Sequence, residues 1–116
     1  MKGDFKNNFP FQMRHDESDK ILKKYPDRYP CIIERDPNCD LPHLLKSKFL
    51  VPNTITFGQL IYIIRKRIKI SPDQGLFIFV NNVLPPSSSI LDTIYREYKD
   101  EDNFLYFVYR SESVFG

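Results

Sequence analysis

Hydrophobic and polar positions change period several times along the chain, and each change predicts an element. Lys46 to Pro52 reads Lys-Ser-Lys-Phe-Leu-Val-Pro. Strand alternation sends Phe49 and Val51 to one side and Lys48 and Leu50 to the other. Apolar groups on both faces need cover on both, so this strand is expected between two helical layers. Pro52 ends it, and a residue without a backbone donor is tolerated at a sheet edge or strand end. An edge strand with grooves on either side can accept another chain.

Before this strand, Asp4, Phe5 and Phe9 predict a short helical turn, and Pro10 restarts the chain at a position suited to the first turn of a second helix. In that helix Phe11, Arg14, Ser18, Ile21, Leu22 and Tyr25 share a thin apolar stripe, which places it on the outside of the fold. Asp16/Lys20 and Asp19/Lys23 stand four apart with the acid first, and Pro26 stops the helix. From Arg28 to Glu34 a strand is expected, with Tyr29, Cys31 and Ile33 on one face and Pro30 and Ile32 on the other. Asp36, Pro37, Asn38 and Asp40 form a turn-rich connection, long enough for the Lys46 strand to fold back antiparallel.

Thr56 followed by Gln59 is a capping-box pattern, opening a helix in which Phe57, Leu60, Ile61, Ile64 and Ile68 repeat at helical spacing. Leu60, Ile63 and Arg67 make a flanking stripe. Leu76 to Val80 reads as a buried strand, with Asn81-Asn82 as the turn after it. Ser89 is the expected cap of a last helix carrying Ile90, Leu91, Ile94, Tyr95 and Tyr98. Asp100 to Asn103 breaks that helix, and Phe104 to Tyr109 is a strongly β-prone candidate for a central strand. Beyond Arg110 a short polar tail is expected. Hairpin, helix, strand, short helix, strand is the order of an α+β ubiquitin-like β-grasp with two additional N-terminal helices. The division expected is a helical pair over 1–26, the ubiquitin-like domain over 27–110 and a flexible C-terminal tail over 111–116.

Composition narrows the chemistry. A chain of 116 residues with 41% hydrophobic positions and no tryptophan suits one compact domain built on Phe and Tyr. Lys+Arg 17 against Asp+Glu 15 is too balanced to imply a nucleic-acid partner, and the basic runs Lys20, Lys23, Lys24 and Arg65, Lys66, Arg67, Lys69 are interspersed with acids and read as solvated faces. Cys31 and Cys39 have no metal-ligand spacing, and a reducing cytoplasm with both as thiols is expected. His15 and His43 are isolated surface residues, so no catalytic constellation, metal or cofactor is expected. No apolar run approaches the roughly 20 residues of a membrane span.

The stretches Lys23-Lys24-Tyr25-Pro26-Asp27-Arg28, Lys48-Phe49-Leu50-Val51-Pro52, Ile64-Arg65-Lys66-Arg67-Ile68, Phe79-Val80-Asn81-Asn82 and Glu112-Ser113-Val114-Phe115-Gly116 together resemble the autophagy ubiquitin-like modifiers, most of all their GABARAP branch. Ser47, Phe49 in place of a common tyrosine, and Asp40 to Leu45 depart from the family pattern.

The resemblance implies that Gly116 is activated by an E1-like enzyme, passed to an E2-like cysteine and joined to phosphatidylethanolamine, with a cysteine protease for removal. It places the protein in the cytoplasm and on the autophagosome membrane. Receptors with an aromatic-x-x-aliphatic motif would add as a strand to the Lys46 to Pro52 edge. Glu17, Ile21, Pro30, Ile32, Lys48, Leu50 and Phe104 match the pocket for the aromatic side chain. Phe49, Val51, Pro52, Ile55, Leu60, Ile63 and Arg67 match the one for the aliphatic side chain. Arg28 and Lys46 flank the motif site, and Phe77 and Phe79 match a second docking surface, although burial in a strand is the commoner fate of such residues. A non-conjugated adaptor for peptide or cytoskeletal partners is the alternative.

Overall fold

The computed structural model describes residues 3–112, so positions 113–116 of the tail expected over 111–116 lie outside the described residues. The elements run α1 (Asp4–Asn8), α2 (Phe11–Lys24), β1 (Arg28–Arg35), β2 (Lys48–Pro52), α3 (Phe57–Ile68), β3 (Phe77–Phe79), α4 (Leu91–Tyr98) and β4 (Leu105–Arg110). The strands form one mixed sheet in the order β2-β1-β4-β3. β1 pairs antiparallel with β2 and parallel with β4, and β3 pairs antiparallel with β4. The hairpin, the central place of the last strand and the edge place of β2 agree with the sequence. Pairing of the first and last strands in parallel gives the ubiquitin-like arrangement.

Period-2 alternation divides the sheet into two faces. Cys31, Ile33, Val51, Ile78, Leu105, Phe107 and Tyr109 point to one side, where they meet Phe57, Leu60, Ile64 and Ile68 of α3 and Leu91, Ile94 and Tyr95 of α4 in the main core. Ile32 and Phe104 point to the other, where Phe5 of α1 and Ile21 of α2 cover them. Phe5 meets Phe104 edge-on, with 5.0 Å between ring centroids.

The first layer follows from local signals. The Thr56 hydroxyl accepts from the Gln59 amide at 3.1 Å while Gln59 Oε1 accepts from the Thr56 amide at 2.8 Å, completing the predicted capping box of α3. Asn81 and Asn82 both adopt positive φ, 48° and 63°, a reversal that asparagine tolerates better than most residues. The bridge between Val80 and Val83 closes that turn.

Several expectations are corrected. Ser89 does not cap α4. The helix begins at Leu91 with Ile90 as its N-cap and no side-chain cap bond. Its first amides are satisfied by tertiary contacts instead, Leu91 donating to the Ile55 carbonyl at 2.9 Å and Asp92 to that of Asn53 at 3.1 Å. Ile90 stands outside the helix and is exposed. Pro10 is the N-cap of α2 and not a first-turn residue. β2 starts at Lys48, with Lys46 and Ser47 before it, and β3 is shorter than the apolar run that suggested it. Asp19 and Lys23 pair at 2.9 Å, whereas Asp16 accepts from Gln12. His15 is half-buried and stacks on Phe11.

The second layer is fastened by polar groups. Asp102 is fully buried, and its carboxylate accepts from the Arg14 guanidinium, the Tyr106 hydroxyl and, at 2.8 Å, the Phe104 amide. The Ser18 hydroxyl donates to the Asp102 carbonyl at 2.5 Å. Ser18 was expected on the apolar stripe and is buried there, because this bond satisfies it. Lys6 of α1 pairs with Asp100 at 2.5 Å, and Glu34 of β1 accepts from the Phe5 amide at 3.0 Å. Both cysteines are free. Cys31 is buried and burial pushes its thiol pKa up, while Cys39 is half-buried in the β1–β2 connection.

Candidate functional site at the edge of strand β2

Among the described residues only one side of β2 is paired. Ile33 donates to the Ser47 carbonyl at 2.8 Å and Asn53 to the Asp27 carbonyl at 2.9 Å. Bonded pairs recur at every second residue of an antiparallel ladder, so Cys31/Phe49 and Tyr29/Val51 share the bonds between these two. Lys48 and Leu50 therefore turn their amides and carbonyls outward. Pro52 has no amide to offer, which limits the open edge at its C-terminal end. The Arg28 guanidinium already donates to the Leu50 carbonyl at 3.0 Å. A carbonyl has a second lone pair, so this contact leaves room for an incoming amide.

On the α2 side the structure brings together the residues assigned to the aromatic anchor. Pro30 and Leu50 are register partners, as are Ile32 and Lys48. Pro30, Ile32 and Phe104 are buried, while Ile21, Lys48 and Leu50 are half-buried. Buried residues here are the floor, and the half-buried ones are what a ligand would touch. Lys48 forms an ion pair with Glu17, joining β2 to α2 across the top of this set. At this exposure such a pair is weak enough for another carboxylate to exchange with it.

On the α3 side Phe49 and Ile55 pack against the main core, with Val51 buried and Pro52 half-buried beside them. Arg67 lies over the Phe49 ring, 5.8 Å from its centroid. Leu60 is only 1% exposed, so it belongs to the core and serves this side from beneath. Ile63 is exposed at 39% and Arg67 is exposed, so these two form the accessible rim.

Lys46 is exposed just before the strand. Phe77 and Phe79 sit on β3 at the opposite edge of the sheet, apart from the β2 site. Phe79 is buried and Phe77 half-buried, as expected for strand residues. The sequence reading missed the residues that hold α2 in place. Arg14 and Asp102 are 88 positions apart, and the available signals were two polar residues, Arg14 and Ser18, on an otherwise apolar stripe. Among the described residues no group of three or more His, Cys, Asp or Glu is placed to hold a metal ion, and no helix is long and apolar enough to cross a membrane.

Comparisons with known proteins agree with the fold. A family model described as autophagy protein Atg8, ubiquitin-like, matches residues 13–116. The chain is similar to autophagy-related protein 8 of Schizosaccharomyces pombe, with 47% identity over 116 residues covering 100% of this chain and 96% of that protein. It is also similar to autophagy-related protein 8d of Arabidopsis thaliana, with 49% identity over 112 residues covering 97% and 93%. The crystal structure of Trypanosoma brucei ATG8 superposes with a TM-score of 0.92 at 38% identity, covering all of both chains.

Proposed function

The chain belongs to the autophagy protein Atg8 ubiquitin-like family, and from that membership we propose that it acts as a membrane-conjugated adaptor whose β2 edge receives receptor peptides. It is an autophagy ubiquitin-like modifier, and lipid conjugation and receptor binding are known for this family. In the reading proposed for this chain, Gly116 is activated by an E1-like enzyme, carried on an E2-like cysteine and transferred to the amine of phosphatidylethanolamine. A terminal glycine lacks a Cβ, so its carbonyl is approached by thiolate and amine with little crowding. The protein passes from cytoplasm to autophagosome membrane by gaining this lipid, and a cysteine protease returns it. It is the substrate of these enzymes and not itself a catalyst.

The observation that carries the adaptor half is the open edge of β2 between two differently built sides. A strand added there gains backbone bonds at Lys48 and Leu50. Its aromatic residue lies over Ile21, Lys48 and Leu50, with Glu17 at the rim and Pro30, Ile32 and Phe104 beneath. Its aliphatic residue lies between Phe49, Pro52, Ile55, Ile63 and Arg67, with Val51 and Leu60 beneath. Arg28 and Lys46 supply positive charge at the two ends. Affinity in the micromolar range, about −8 kcal/mol, is expected for such a short segment.

The test is reconstitution with E1-like and E2-like enzymes, ATP to activate the carboxylate, and liposomes containing phosphatidylethanolamine. Wild-type protein becomes lipid-linked, and a variant lacking Gly116 does not. Lipid linkage of the deletion variant would overturn the conjugation mechanism. In a nuclear magnetic resonance titration with an aromatic-x-x-aliphatic peptide, Lys48, Leu50, Ile63 and Arg67 shift. Shifts confined to Phe77 and its neighbours on β3 would instead move the peptide site to the other edge.

A further inference from the structure

The two sides of β2 are offset along the strand. The side facing α2 centres on Lys48 and Leu50, opposite Ile32 and Pro30. The side facing α3 reaches further along the chain, through Val51 and Pro52 to Ile55. A peptide whose aromatic residue precedes its aliphatic one fits both only by running parallel to β2. Its upstream residues then leave past Lys48 toward Lys46 and the β1–β2 connection.

At that end begins a groove of about 1000 Å³ that runs over the α1 and α2 face of the sheet as far as Phe79 and Asn81, with Glu17, Lys48, Lys46, Leu45 and Leu44 lining the end nearest β2. Glu17 and Lys48 belong to both the aromatic side and this groove, so the two surfaces are continuous. Leu45 is fully exposed, a leucine with its whole side chain in water at the groove wall, and Lys46 beside it is exposed as well. The Ile33 amide still bonds the Ser47 carbonyl, so pairing with β1 persists to the foot of that wall. Exposed Lys46 and half-buried Lys48 suit acidic partner residues, and Leu45 offers an apolar contact beside them.

We propose that this groove receives the receptor segment immediately upstream of the aromatic anchor, and that Leu45 selects receptors with an apolar residue about four positions before it. The inference rests on reading β2 as the peptide site. At roughly 3.3 Å per residue, four upstream residues span about 13 Å. A parallel peptide advances in step with the strand, so a residue that far upstream of an anchor near Phe49 arrives level with Leu45. Acidic residues between the two pass Lys48 and Lys46, where the first competes with Glu17 for Lys48.

The experiment uses the full chain and synthetic peptides with a Trp-x-x-Leu core, acidic residues before the Trp, and either Leu or Ala about four positions upstream of it. Binding is followed by fluorescence anisotropy for wild type and for Leu45→Ser, a substitution at an exposed site that leaves the core untouched. On wild type the upstream Leu tightens binding about five- to tenfold over Ala, the range expected for partial burial of one leucine. On Leu45→Ser that gain falls below about twofold, while the Ala peptide binds both proteins alike. An equal gain on both proteins overturns the role of Leu45 and leaves the β2 site standing. Failure of every peptide to bind removes the β2 reading itself, and this inference with it. Concentration-dependent shifts of the Leu45 amide without peptide would assign the groove to a second copy of the chain, which also overturns the proposal.

Discussion

The two faces of the sheet are held by different physics. The face toward α3 and α4 buries a continuous apolar layer from Val51 across to Ile78, and its helices start from backbone and capping contacts close at hand. The face toward α1 and α2 buries little beyond Phe5, Ile32 and Phe104, and relies on Asp102, Arg14, Ser18 and Tyr106 to fix the helices. Burial is non-directional and tolerant, whereas a buried carboxylate with three donors holds only in one geometry. β2 lies where the two regimes meet. One side of the proposed peptide site therefore inherits the rigidity of the core, and the other depends on a polar latch.

Perturbing each face separately sharpens this contrast. The largest effect is expected for Phe57→Ala, which removes a ring 1% exposed in the main core and costs about 3–5 kcal/mol. Denaturant unfolding measures it, and the whole fold should lose stability together, with both peptide contacts going at once. A loss confined to α2 would show that the faces are not divided in this way.

Asp102→Ala comes next, at about 3 kcal/mol, because it leaves Arg14 and the Tyr106 hydroxyl without their shared acceptor. Hydrogen exchange should rise first in α2, and binding should weaken through the aromatic anchor more than the aliphatic one. Uniform exchange across α3 and α4 would contradict the latch.

Glu17→Gln should act on binding within about 1 kcal/mol, since its pair with Lys48 is half exposed. Freeing Lys48 raises affinity for acid-flanked peptides and leaves neutral-flanked ones unchanged. Equal changes for both would mean that Glu17 works through the position of α2.

The smallest effect is a pH dependence of α1. Burial tends to raise the Asp100 carboxyl, yet the Lys6 ammonium and the Asp102 amide win and hold it below the ordinary value. A folded-state pKa depressed below the unfolded one stabilises the docked helix above the ordinary carboxylate range, and that stability is lost as pH falls through the folded value. Glu34 runs the other way. Burial raises it, outweighing its bond from the Phe5 amide, with Asp4 adding repulsion. Its contribution is greatest below its ordinary range and declines as pH rises through the raised value. Acid titration of the Phe5 resonances should therefore show two transitions, an upper one from the carboxylate its amide donates to, which Glu34→Gln removes, and a lower one that Asp100→Asn removes.

Much of this was written locally. Thr56 and Gln59 close their capping box within one turn, Asn81-Asn82 makes its reversal, and the alternation of Phe49, Leu50 and Val51 decides which residue serves which side of the edge. Such features depend on periods of two or 3.6 residues and on side chains a few positions apart, which the order of residues specifies directly. The family motifs added the direction of function, because several short stretches agreed over the whole chain.

What the order of residues left open required the chain to meet itself at a distance. Ser89 had the right chemistry for a cap, but the carbonyls of Asn53 and Ile55 reached the first amides of α4 instead. Leu60 looked like part of an accessible stripe, and only the closeness of the sheet shows that it is covered. Arg14 could not be matched with Asp102 until parallel pairing of β1 and β4 brought the α4–β4 connection beneath α2. Periodicity states which way a side chain faces, while its partner is fixed by topology, since burial pulls on every apolar face alike and only the packed arrangement decides which surfaces meet.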